Sequence, residues 1–264
     1  MNEVLGKLTD LTYEFFGVLL PGIVATLFLA IWWASLGFLG PYVTSGLVPR
    51  LTVGETLRFL ATGLNVGTAI VLLTLSYFAG HLVLWKSRSG GKLHEADAKK
   101  DWKRLARCLR FDIPKPSASY DPSLEPLFTR IQGKFAKEGG ALDWRQFYPV
   151  AKSFIAQNAR HSLVATYQNK YTLHRSFVTI AAFLTWLTLL SLVTGGIAYG
   201  IAGVAPRWWM LATLLLGSLC LIWGFSGSYL YHWQMFGNTT ITESYALAFG
   251  PKVDTTKAEQ SAGR

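Results

Sequence analysis

Ser89-Gly90-Gly91-Lys92 is the stretch that comes nearest to phosphate chemistry, where a glycine-rich backbone would cradle phosphates and a lysine would neutralise them. Such a loop needs a further glycine five residues before its second one and a Ser or Thr after the lysine. Lys86 and Leu93 occupy those places, so the match fails. His94, Glu95 and Asp97 form the one cluster of metal-ligand types, yet their spacing fits neither a two-histidine zinc helix nor a calcium loop. They read as the solvated start of a helix, and neither a metal nor a cofactor is expected. Nucleophile motifs are also missing: there is no G-x-S-x-G elbow, and Cys108 and Cys220 have no histidine and carboxylate in a recognisable arrangement. Two unpaired cysteines fit a reducing compartment rather than a disulfide framework. One enzymatic arrangement stays open, in which Tyr77, His81, His174, Tyr231 and His232 converge at one face of a membrane.

The elements that would position such groups are set by four long runs without Asp, Glu, Lys or Arg: residues 15–40, 59–85, 176–204 and 208–231. Crossing about 30 Å of hydrocarbon takes roughly 20 helical residues, so each run is long enough to span a bilayer. Overall, 51% of the 264 residues are hydrophobic and 15% charged, too little charge to coat a water-soluble globule of this length. The first run is preceded by Glu3, Asp10 and Glu14 with Lys7 as the single basic residue, unlike a cleavable signal peptide. The expected fold is therefore an all-α integral membrane protein with four transmembrane helices and a small helical cytoplasmic domain inserted between the second and third.

Charge orients this arrangement. Residues 86–175 hold 18 of the 25 basic and 8 of the 15 acidic residues, so the whole formal charge of +10 falls in one segment. Lys and Arg favour the cytoplasmic side. This predicts an N-terminal hairpin (1–86), a basic cytoplasmic domain (87–175), a C-terminal hairpin (176–236) and a cytoplasmic tail (237–264) with a disordered end. Both termini are then cytoplasmic, and a bacterial inner membrane is the expected location.

Small and polar residues predict how the helices meet. Gly63, Gly67, Ile70, Thr74, Tyr77 and His81 fall on one helical stripe of the second span. Gly196 and Gly200 in the third, and Gly217, Gly224 and Ser228 in the fourth, offer further close-approach surfaces. Three such seams exceed what one four-helix bundle needs, which points to a homo-oligomer. Pro21, one turn into the first run, would free a carbonyl and favour a kink.

Within the basic segment, Trp102, Leu105, Ala106 and Leu109 give a narrow apolar stripe over 92–110. Leu124, Leu127, Phe128, Ile131 and Phe135 give a full helical face after a cap at Asp121. A further helix starts from a cap at Asp143, and 161–175 can run unbroken into the third span, a rod that would couple insert to membrane.

Function rests on the basic surface. Lys99, Lys100, Trp102, Lys103, Arg104, Arg107 and Arg110 form an anionic-binding face, each cation near a bilayer contributing about 1 kcal/mol toward anionic lipid. Membrane lipid headgroups rank first as partners, a cytoplasmic protein or nucleotide ligand second, and nucleic acid last. The charge-free cores disfavour an ion-coupled transporter. The expected activity is a non-enzymatic membrane protein that senses or binds a partner and relays the event to its bundle, with a bacterial stress or defence effector as one concrete form. A passive pore is the alternative, and a membrane-embedded enzyme with the His/Tyr site the second.

Overall fold

A computed structural model describes residues 12, 14–35, 66–88, 101–113, 120–136, 142–159, 162–203 and 206–250. Among the described residues there is no strand. The helices are α1 (Leu20–Ser35), α2 (Val66–Arg88), α3 (Asp101–Leu109), α4 (Glu125–Phe135), α5 (Trp144–Asn158), α6 (Leu163–Ala202) and α7 (Trp208–Phe249). A π-helical stretch, Phe15–Leu19, leads into α1, and a 3₁₀ turn, Pro122–Leu124, leads into α4. Four helices are long and apolar enough to cross a membrane: Phe15–Trp32, Gly67–Ser87, Leu163–Ile201 and Trp208–Phe249.

Two compact units share this chain, one made of Met1–Ser117 and Gln168–His232, the other of Ala118–Tyr167 and Trp233–Arg264. The division differs from the expected 87–175 insert at both ends. Residues 101–113 join the first unit because α3 is strongly amphipathic and its apolar edge is buried there. What reads as a tail from 237 continues as α7 to Phe249 and supplies Ile241 to the core of the second unit. Helices α6 and α7 each contribute to both units.

In the first unit, α1 and α2 approach through backbone rather than side chains. A Cβ on Gly22 would lie 1.7 Å from the Ser76 carbonyl oxygen, and one on Gly80 would lie 2.1 Å from that of Val18, so neither position admits a side chain. Ser76 donates to Thr26 across this contact at 3.3 Å, and Thr26 donates to the Gly22 carbonyl at 2.9 Å. Pro21 is accommodated by the wider π-helical turn ahead of it, where Leu20 N–H donates to the Phe15 carbonyl. Hydroxyls line the interior between the long helices: Thr185 and Ser218, both buried, sit 2.7 Å apart, and Thr185 also donates to the Ala181 carbonyl one turn back. Trp32 donates to Ser191 at 2.9 Å, tying α1 to α6.

The second unit is built around aromatic and aliphatic side chains. Phe128, Ile131, Phe147, Ala151 and Ile241 form a dry core, flanked by Tyr120, Trp144 and Phe135. Its helix starts carry the expected caps. Asp121 accepts from Ser123 N–H at 2.9 Å, and Asp143 forms a reciprocal box with Gln146. The start of α6 is closed by Glu243, whose carboxylate accepts from Leu163 N–H at 2.9 Å and from the Ser162 hydroxyl at 2.7 Å.

Candidate functional site

The basic residues of α3 are fastened to the two longest helices. Leu105, Cys108 and Leu109, with Ile113 after them, share one buried cluster with Val178, Ala181 and Ala182 of α6 and Ile222 and Tyr229 of α7. Trp186 Nε1 donates to the Leu109 carbonyl at 2.7 Å, which satisfies an orphan acceptor at the end of α3. The Arg104 guanidinium stands 5.8 Å over the Trp223 ring, a cation–π contact that holds the charge against α7. Burial pushes the Cys108 thiol up to about 12 despite the neighbouring Arg104, which disfavours its thiolate form.

Of the expected anionic-binding residues, Lys99 and Lys100 lie outside the described residues. Trp102 is 66% exposed, with the Lys103 ammonium 5.7 Å over its ring. Lys103, Arg104 and Arg107 are half-buried and Arg110 is exposed. The structure thus places Trp102, Lys103, Arg104 and Arg107 on one short helix, with Arg110 in the turn that follows it.

The turn that ends α3 is unusual. Asp112 N–H donates to the Arg107 carbonyl at 3.0 Å and Phe111 N–H to that of Cys108 at 2.9 Å, a Schellman closure. Its left-handed position is held by Phe111 at φ 58°, where glycine is the usual occupant. The Phe111 ring lies under the Lys86 ammonium at 5.1 Å, at the end of α2.

The His and Tyr residues fall into two groups. Tyr77 and His81 form an edge-to-face pair at 4.5 Å on α2, and the Tyr77 hydroxyl donates to Glu14 at 3.3 Å. His174 and His232 form another at 4.7 Å, with Tyr231 beside His232 at 5.2 Å. His232 Nδ1 lies 2.7 Å from the Ser228 carbonyl oxygen. Among the described residues no group of three or more His, Cys, Asp or Glu could hold a metal ion.

The predicted packing stripes land differently from the contacts the chain makes. Gly63 lies outside the described residues, Gly67 is exposed, and the exposed Thr74 returns its hydroxyl to the Ile70 carbonyl of its own helix. Gly196, Gly200, Gly217 and Gly224 would each place a Cβ with no heavy atom within 4 Å among the described residues. The tight approach runs instead through Gly22 and Gly80. The signal for it is present as Ser76 and Gly80, a small pair four apart on a face adjoining the chosen stripe. Arg175, which in the sequence reads as orientation charge, is instead 7% exposed and lies near the fully buried Tyr229. Comparison with family models, curated proteins and solved structures found no match to this chain.

Proposed function

We propose that this chain is a non-enzymatic multi-pass membrane protein, assembled from several copies, whose basic end engages anionic lipid headgroups and relays that engagement to the helical bundle. Hydrocarbon surroundings are supported by the outward face of α2, where Leu75, Phe78 and Leu82 are 54%, 64% and 66% exposed. In water every Å² of such surface would cost about 25 cal/mol; in lipid that penalty vanishes. The excess of Lys and Arg in 86–175 then sets that segment on the cytoplasmic side, as in a bacterial inner membrane.

The observation that carries the reading is the seating of α3. Its apolar edge is buried on α6 and α7 and its Arg104 stacks on Trp223 of α7, so the helix that carries the cations is seated on the two long helices. A headgroup bound there pulls on both long helices, and both helices continue into the second unit. Assembly is supported by the open glycine surfaces at Gly196, Gly200, Gly217 and Gly224, which a second copy can approach closely.

The test is lipid selectivity of the full chain extracted in polymer-bounded discs from membranes of mixed composition. Phosphatidylglycerol should be enriched around the native chain, and reversing Lys103, Arg104, Arg107 and Arg110 to Glu should abolish the enrichment. Equal lipid composition around native and reversed chains would remove the headgroup reading. Ion flux through liposomes holding the purified chain alone would replace it with a passive pore.

A further inference from the structure

A groove of about 520 Å³ opens between α1, α2 and α6 in the first unit. It falls within the roughly 300–1,000 Å³ range of small-molecule sites. Ala25 and Leu29 line it from α1, Ala79 and Leu82 from α2, and Phe183 and Leu187 from α6. Its wall is almost wholly hydrocarbon. The Thr179 hydroxyl already donates to the Arg175 carbonyl at 3.1 Å, so it has no proton left to offer an occupant. A polar ligand body would lose its water there without replacement partners.

One end of the groove differs from the rest. Trp85, Lys86 and Phe111 close it, with the Lys86 ammonium over the Phe111 ring. Phe111 stands there in a backbone conformation, φ 58°, that is costly for an aromatic residue. The site therefore pairs a long apolar slot with a cation at its mouth.

Its depth decides what fits. The lining runs from Lys86 back to Ala79 on α2 and from Thr179 to Leu187 on α6, which at 1.5 Å per residue is about 10–12 Å. That is somewhat less than one leaflet of a hydrocarbon core about 30 Å thick. A helix of a second copy would cross the whole core and would need a groove about two and a half to three times as deep. We propose that this groove holds one acyl chain of an anionic phospholipid, with its phosphate at Lys86. The inference rests on the membrane reading above, and it names an integral lipid distinct from those gathered loosely by α3.

Native mass spectrometry of the full chain, after reconstitution in vesicles of equal phosphatidylglycerol and phosphatidylcholine and extraction in mild detergent, tests it. The native chain should retain one phosphatidylglycerol through washing. Ala79→Trp, which fills the slot, should lower that occupancy at least about tenfold, in line with loss of a buried apolar contact. Lys86→Gln should keep a bound lipid but lose about fivefold of the preference for phosphatidylglycerol. Because a bulky variant can misfold, a phosphatidylglycerol with a photoreactive acyl chain is also applied to the native chain. Adducts should fall within 79–86 and 179–187.

Retained lipid in Ala79→Trp, adducts confined to other segments, or a loss of dimer mass with unchanged lipid would each overturn the site, the last assigning the groove to a second copy. The α3 charge reversals separate the two readings. If they abolish the disc enrichment while the native chain keeps no washed lipid, the groove inference alone falls. If the washed lipid persists and the enrichment was never present, the headgroup reading alone falls.

Discussion

Both units bury apolar side chains, but they differ in what stands beside those inside and in what they leave outside. In the first, hydroxyls are inside: Ser76, Thr185, Thr188, Ser218 and Ser226 are at most 4% exposed, while Phe78, Leu82, Trp85 and Ile201 stand outward at 64–84%. In the second, Phe128, Ile131, Phe147 and Ile241 are inside, and the carboxylates of Asp121 and Asp143 cap helices at the surface. One chain thus follows two rules. The second unit is organised by exclusion of apolar groups from water. The first gains little from that effect if lipid surrounds it, so close backbone approach and internal hydroxyl bonds must do more.

Phe147→Ala puts the largest strain on the contrast. Emptying this fully buried site should cost the second unit about 3–5 kcal/mol and raise amide exchange across α4 and α5. Exchange in α2 should not change. Equal loosening of α2 would mean that the units share one core.

Leu75→Arg follows. At an outward position of α2 it should cost about 2.5–3.5 kcal/mol of membrane insertion, read as the fraction of chains integrated. Val150→Arg, at a position 44% exposed in the second unit, should stay within about 0.5 kcal/mol. Similar losses at both sites would erase the difference between the surfaces.

Gly80→Leu should destabilise the α1–α2 contact by about 1–3 kcal/mol or more, since a Cβ there meets the Val18 carbonyl. Gly196→Leu, whose Cβ meets nothing within 4 Å among the described residues, should leave the thermal midpoint of the fold nearly unchanged and reduce oligomer mass in detergent. An unaltered oligomer would remove Gly196 and its neighbours from assembly.

The smallest effect concerns acid. Hydrogen bonding from Ser123, its backbone N–H first, holds the Asp121 carboxyl below the ordinary aspartate range. A depressed folded value means this stabilisation is present above that range and is lost as pH falls through the lower folded value. Asp121→Asn should therefore flatten a shallow acid-side loss in the second unit, measured by its unfolding midpoint against pH.

These contrasts explain which features could be read from residue order. Charge-free runs and caps are local, so the four long apolar helices and the starts at Asp121 and Asp143 were legible. The seating of α3 was not: the narrow stripe of Trp102, Leu105, Ala106 and Leu109 gives no hint of the partner that covers it, and the buried edge runs instead through Leu105, Cys108 and Leu109, with Trp102 and Ala106 exposed. Glycine stripes mislead in the same way. Gly80 and Gly196 look alike in sequence, and only three-dimensional proximity assigns a backbone contact to the first and open space to the second. The left-handed Phe111 had no signal at all, since its residue type argues against that conformation.

The hydrocarbon surroundings of the first unit are tested most directly by spin labels at Leu75→Cys, Phe78→Cys and Leu82→Cys in liposomes, in a Cys220→Ser background, with Cys108 silent because its thiol is buried. Collisions with oxygen should be frequent and collisions with a water-soluble nickel chelate rare, the reverse of a label at Val150→Cys. Chelate access at 75, 78 and 82 equal to that at 150 would contradict the account.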